Sequence, residues 1–173
     1  GLRGLQGWEV TRMTSLGETY APECPAPIPA VEQPSLVLPD GAFDCHFHVI
    51  GDAAQYPFTP HRSYTPPPAS LAQYEAMQRS LGLSRGVIIQ PSVYGYDNRV
   101  MLQALRKGGE NYRGVVVISD QVSDDELREM DTLGVRGVRI NLIYKSGVEV
   151  SDVATLARKV APLGWHLQLL IDI

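Results

Sequence analysis

Residues 85–119, RGVIIQPSVYGYDNRVMLQALRKGGENYRGVVVIS, decide the fold. The runs RGVIIQ and YRGVVVIS at their two ends are short and continuously apolar. They lack the polar–apolar alternation of a strand with one wet face, so each reads as a strand buried on both sides. The intervening DNRVMLQALRKGG has Asp97 or Asn98 at its start and Gly108-Gly109 at its end, the punctuation of a helix. Two fully buried strands joined by a helix predict parallel neighbours linked by a crossover.

The rhythm continues in both directions. Downstream, SDDELREMDTLG (123–134) predicts a helix with Ser123 and Glu126 in capping-box register, VRGVRIN (135–141) a fourth strand, SDVATLARKVAPLG (151–164) a helix and WHLQLLIDI (165–173) a fifth strand. Upstream, SLAQYEAMQRSLG (70–82) predicts a helix capped by Ser70 and Gln73, with Leu71, Tyr74 and Met77 or Gln78 on one face. Before it comes a first strand at about 42–47 and a long Pro- and Tyr-rich loop. Strict β-α alternation with apolar strands leaves a doubly wound open sheet or a (β/α)8 barrel. A doubly wound sheet calls for a glycine-rich turn after its first strand. Here GAFDCHFHVIG (41–51) ends that strand in two histidines, which favours the barrel. Five strands against the eight a barrel needs predict the N-terminal portion, about five βα units, of a TIM barrel.

The 173 residues are 44% hydrophobic and 20% charged with a net charge of −4, which is ordinary globular composition. No basic run offers a nucleic-acid surface, and no apolar stretch reaches the roughly 20 residues of a membrane span. Two cysteines, Cys24 and Cys45, make no disulfide framework, and a cytoplasmic location is the expectation. Residues 20–40 carry prolines 22, 25, 27, 29, 34 and 39, too many for a helix or a ladder. Residues 1–40 are therefore expected to be an extended N-terminal extension, and residues 41–173 a partial barrel domain.

In such barrels the chemistry sits at the C-terminal ends of the strands. Strand one brings His46 and His48, which alternation puts on one face; strand two brings Gln90 and Ser92; strand three brings Ser119, Asp120 and Gln121. Strand four brings Arg139 and Asn141, then Tyr144 and Lys145, and strand five Asp172. Arg136, at the start of strand four, reads as a surface charge. Other roles stay open for several of these groups. Arg139 could belong to a sheet-end salt bridge, Tyr64 could pack its ring over the mouth, Ser92 could form a turn after Pro91, and Asp97 reads better as a helix cap than as a ligand.

DCHFHVIG, RSYTPPPAS, QPSVYGYDN and GVRGVRINL, in this order and spacing, resemble the amidohydrolase superfamily. The resemblance covers about residues 41–173 and is strongest to the branch of 2-pyrone-4,6-dicarboxylate lactonase and related sugar-lactone hydrolases and isomerases. It implies His46 and His48 as catalytic groups, which bind metal in many members and hold or polarise substrate without an obligatory metal in the lactonase branch. It implies Tyr64, Ser92, Arg139 and Lys145 as substrate-binding groups, with Lys145 standing where an arginine is expected. Tyr94 stands where the lactonases commonly carry a histidine. The water-activating aspartate of the superfamily comes from strand eight, so Asp172 is not its counterpart. The expected activity is hydrolysis of a carboxylated lactone, a small molecule. The alternatives are a Zn²⁺-dependent amidohydrolase or decarboxylase, with His46 and His48 as ligands, or a non-catalytic binding module or inactive fragment.

Overall fold

A computed structural model describes residues 21–28, 32–143 and 152–172. Five strands alternate with four helices: β1 (Phe43–Phe47), α1 (Leu71–Ser80), β2 (Arg85–Ile89), α2 (Arg99–Gly108), β3 (Tyr112–Val116), α3 (Asp124–Thr132), β4 (Val135–Asn141), α4 (Val153–Val160) and β5 (His166–Leu170). All pairings are parallel and the strands lie in the order β1-β2-β3-β4-β5. A doubly wound sheet reverses its strand order at a switch point. This sheet never reverses, which is the topology of a barrel wall and agrees with the expected partial TIM barrel.

The local reasons match the sequence. Both predicted capping boxes form, Ser70 with Gln73 on α1 and Ser123 with Glu126 on α3. On α2 the two candidate cap residues divide the work. Asp97 Oδ1 accepts the Arg99 amide at 3.2 Å, while Asn98 turns inward to bridge the backbone of Val117, accepting its N–H at 3.1 Å and donating to its carbonyl at 2.8 Å. Asn98 therefore stitches α2 to the end of β3.

The apolar strands are buried from both sides: Ile88, Ile89, Val116, Val138 and Ile140 are fully enclosed. On α1 the buried face is Leu71, Tyr74 and Gln78 rather than Met77. Gln78 is tolerated in the core because its Oε1 accepts the Tyr112 hydroxyl at 2.8 Å. Gly86 of β2 lies so close to β1 that a Cβ there would sit 2.8 Å from the Phe47 ring. Residues 21–24 of the proline-rich stretch run extended along the loop after β1. Thr65 donates its N–H to Pro22 O (2.7 Å) and its hydroxyl to Ala21 O (2.9 Å), and accepts the Cys24 N–H (2.9 Å). Cys24 and Cys45 are both free thiols.

Candidate active site

The site begins with an irregularity in β1. Phe43 pairs with Arg85 and Asp44 with Gly86, but the next pair is Phe47 with Ile88. Three steps on one strand against two on the other mark a one-residue bulge at Cys45–His46. Beyond it His46 and His48 come together, ring centroids 5.1 Å apart and planes at 83°. His48 Nδ1 lies 2.7 Å from the carbonyl of Ile89 at the end of β2. A carbonyl only accepts, so Nδ1 carries the proton, and in the neutral ring Nε2 keeps its lone pair.

Both rings favour the neutral form. Burial lowers the His48 pKa first, opposed by the Ile89 carbonyl, with the charges of His46 and Arg139 lowering it further. His46 is lowered by burial and by Arg139, and raised by the carboxylate of Asp44. The charge of Arg139 thus bears on both imidazoles across the ends of the strands.

Arg139 is only 8% exposed, and its Nε and Nη1 have no hydrogen-bond partner among the described residues. Burial lowers its pKa, and Tyr64 is the neighbour that opposes the shift. Among the described residues the ion pairs are Arg99–Asp97, Arg106–Glu129, Arg128–Asp125 and Arg136–Asp131, and none of them includes Arg139. Leaving a buried donor unsatisfied costs about 1–3 kcal/mol, and more for a charged group. Among the described residues this guanidinium keeps donors to spare.

The other candidates divide. Ser92 is buried and opens a single 3-10 turn (Ser92–Tyr94) after Pro91. Tyr64 packs, half-buried, against the core. Lys145, with Tyr144, lies outside the described residues. Gln90 is buried and donates to Asp97 O at 2.8 Å, cinching its own loop. Asp97 pairs with the Arg99 side chain and accepts its amide just ahead of the Asn98 N-cap, so its carboxylate is taken up locally. Asp172 is exposed beyond β5. Arg136 binds Asp131 on the surface at the opposite end of β4. Tyr94 is buried, and its hydroxyl accepts the Gly51 amide at 3.0 Å, tying the exit of β1 to the exit of β2. A cavity of about 720 Å³ between α1 and Pro27-Ile28 touches this set only at His48.

Sequence reasoning passed over Asp44 and Tyr74. The Tyr74 hydroxyl donates to Asp44 Oδ2 at 2.9 Å, and this bond, after burial, drives the phenol pKa far up. The clue available was an acidic residue two positions ahead of a histidine in a predicted strand.

The amidohydrolase family model matches residues 43–172. The chain belongs to the amidohydrolase family. Among curated members it is 38% identical over 142 residues to the 2-pyrone-4,6-dicarboxylate hydrolase of Comamonas testosteroni, covering 81% of this chain and 47% of that protein. It is likewise 38% identical over 148 residues to the 4-sulfomuconolactone hydrolase of Rhizobium radiobacter, covering 86% of this chain and 48% of that protein. This amidohydrolase chain thus spans about half the length of the curated relatives it matches. Among solved structures, a protein described as a probable 2-pyrone-4,6-dicarboxylic acid hydrolase from Acinetobacter baumannii, with citric acid bound, superposes with a TM-score of 0.65 at 26% identity, covering 73% of this chain and 48% of that one. An apo structure from Agrobacterium tumefaciens matches the fold with a TM-score of 0.76 over 84% of this chain and 51% of that one, at 23% identity.

Proposed function

We propose that this amidohydrolase chain carries the substrate-binding half of a hydrolase acting on a carboxylated lactone. The observation that carries the reading is Arg139, a buried guanidinium whose Nε and Nη1 have no partner among the described residues and whose charge helps lower the pKa of both histidines. A carboxylate is the planar anion that a guanidinium fork binds best. The named lactone hydrolases among the relatives support the choice of a carboxylated cyclic ester.

A substrate carboxylate pairs with Arg139, with Tyr64, Ser92 and Lys145 orienting it and the neighbouring oxygens. This sets the ester carbonyl against the histidine pair. Water adds to the carbonyl carbon, the ring C–O bond breaks, and the proton that the water gives up ends on the leaving oxygen, yielding the open hydroxy acid. The tautomer of His48 divides the labour. Its ring proton is committed to Ile89, so the Nε2 lone pair accepts from the incoming water and aims it. His46, whose ring makes no hydrogen bond among the described residues, donates an N–H to the developing oxyanion. Pairing of Arg139 with the substrate also removes a charge that lowers both histidine pKa values.

A metal-dependent reading is favoured by one feature. A histidine that donates one ring N–H to a carbonyl and keeps the other nitrogen free has the arrangement of a metal ligand. A bound Zn²⁺ would be held by His46 and His48 and would acidify a water. Among the described residues, however, no group of three His, Cys, Asp or Glu side chains is placed to hold an ion, whereas a catalytic zinc takes three protein ligands. The described residues therefore do not complete that site.

The test is a screen of the full-length protein against carboxylated lactones and their uncharged esters, with metal analysis alongside. Turnover confined to the carboxylated members supports the proposal. Equal turnover of the uncharged esters would sink it. One equivalent of zinc with activity lost to chelator would favour the metal-dependent reading.

A further inference from the structure

We propose that Asp44 is a positioning residue for the histidine pair, acting through the bulge in β1; this rests on the reading of His46 and His48 as the working groups. In an unbroken strand residues 44, 46 and 48 share a face, and the Asp44 carboxylate would sit among the imidazoles. The bulge between Asp44 and Phe47 changes that. Asp44 and Phe47, of opposite parity, both address Tyr74 on α1: the carboxylate accepts the phenol hydroxyl at 2.9 Å, and the Phe47 ring stacks on the Tyr74 ring with centroids 3.5 Å apart.

A bulge leaves its extra residue without a ladder partner. Here the unpaired amide is that of His46, and Asp44 Oδ1 accepts it at 3.0 Å. One carboxylate thus joins two jobs. Oδ1 closes the bulge at the backbone of the first histidine, and Oδ2 fastens that bulge to a helix. The second histidine follows two residues on, pinned to β2 by its bond to Ile89 O. The distance between the two rings depends on the backbone turn between them, and Asp44 holds the start of that turn. β2 makes room for the arrangement with Gly86, whose added Cβ would strike Phe47 and lie 3.3 Å from Asp44 O.

The test uses hydrogen exchange read by mass spectrometry on the chain, following the His46 amide and the ring C2–H of His48. The parent should show a protected His46 amide and slow ring exchange. Asp44→Ala should speed the amide at least tenfold and the His48 ring at least threefold, while Asp44→Asn, which keeps an acceptor for the amide, stays within threefold of the parent at both. Tyr74→Phe removes one hydroxyl only and should give an intermediate increase; it decides the matter should Asp44→Ala not fold. Parent-like exchange at both positions in folded Asp44→Ala, or in Tyr74→Phe, would overturn the proposal. In the active full-length protein Asp44→Ala should lower kcat at least tenfold with KM within threefold. An unchanged kcat with the exchange result intact would count against the hydrolysis reading and leave the positioning in place.

Discussion

At β4 two arginines three residues apart have opposite circumstances, and that contrast tests the site at the scale of single side chains. Arg139 is buried, with its Nε and Nη1 lacking a partner among the described residues, whereas Arg136 is exposed and bound to Asp131. Arg139→Met should lower kcat/KM for a carboxylated lactone by roughly 10- to 150-fold, mostly through KM, since a charge-assisted bond contributes about 1.5–3 kcal/mol. Arg136→Met loses an exposed ion pair of about 0–1 kcal/mol and should leave kcat/KM nearly unchanged. Comparable losses in the two variants would refute the assignment of the strand ends. His48 supplies a second prediction. Its pKa is lowered, chiefly by burial, and its role as acceptor needs the neutral ring. The unprotonated form therefore predominates above the lowered pKa. kcat/KM should be flat near neutrality and fall on acidification, with a midpoint below the ordinary imidazole value of about 6.5. His48→Asn should abolish that acidic limb. A profile that instead rises as the pH falls would assign the imidazolium, and with it a donor role, to His48.

At the scale of elements, the strands and helices were legible because their signals are local. Unbroken apolar runs marked β2 and β3, and Ser-x-x-Gln and Ser-x-x-Glu marked the starts of α1 and α3. What could not be read was anything that depends on register. The bulge at Cys45–His46 adds a residue without altering the apolar pattern of β1, so alternation alone leaves Asp44 on the histidine face when it in fact meets α1. The same limit applied to Asn98 and Gln90, polar residues at strand and helix ends whose partners are backbone groups of other segments. At the site, strand-end logic named His46, His48 and Arg139, and the charge of Arg139 bears on both imidazoles. That its Nε and Nη1 lack a partner among the described residues could not be read, because it depends on which groups from other segments lie nearby. Tyr94 offers a prediction about how elements are joined. Tyr94→Phe leaves the Gly51 amide without its acceptor, a loss of about 1–3 kcal/mol. Exchange at that amide should quicken by about tenfold or more; no change would show that another group restrains the β1 exit.

For the molecule as a whole, the decisive fact is that β1 pairs only with β2 and β5 only with β4 among the described residues. Each presents a strand edge, and Phe43, Leu169 and Ile171 stand exposed on or beside them. Such edges template further pairing. The 173-residue chain should associate in a concentration-dependent way in sedimentation velocity runs, with little relief from added salt. A single monomeric species from low to high micromolar concentration would contradict this.

The attachment of residues 21–24 to Thr65 carries a mechanical consequence. Tension applied at the N-terminus passes along the chain and, among the described contacts, first loads the bonds from Pro22, Cys24 and Ala21 to Thr65. These lie one residue from Tyr64, ahead of any strand of the sheet. A surface tether at that end therefore pulls on the rim of the candidate site before it strains the wall. Immobilising the protein by its opposite end spares the rim that load.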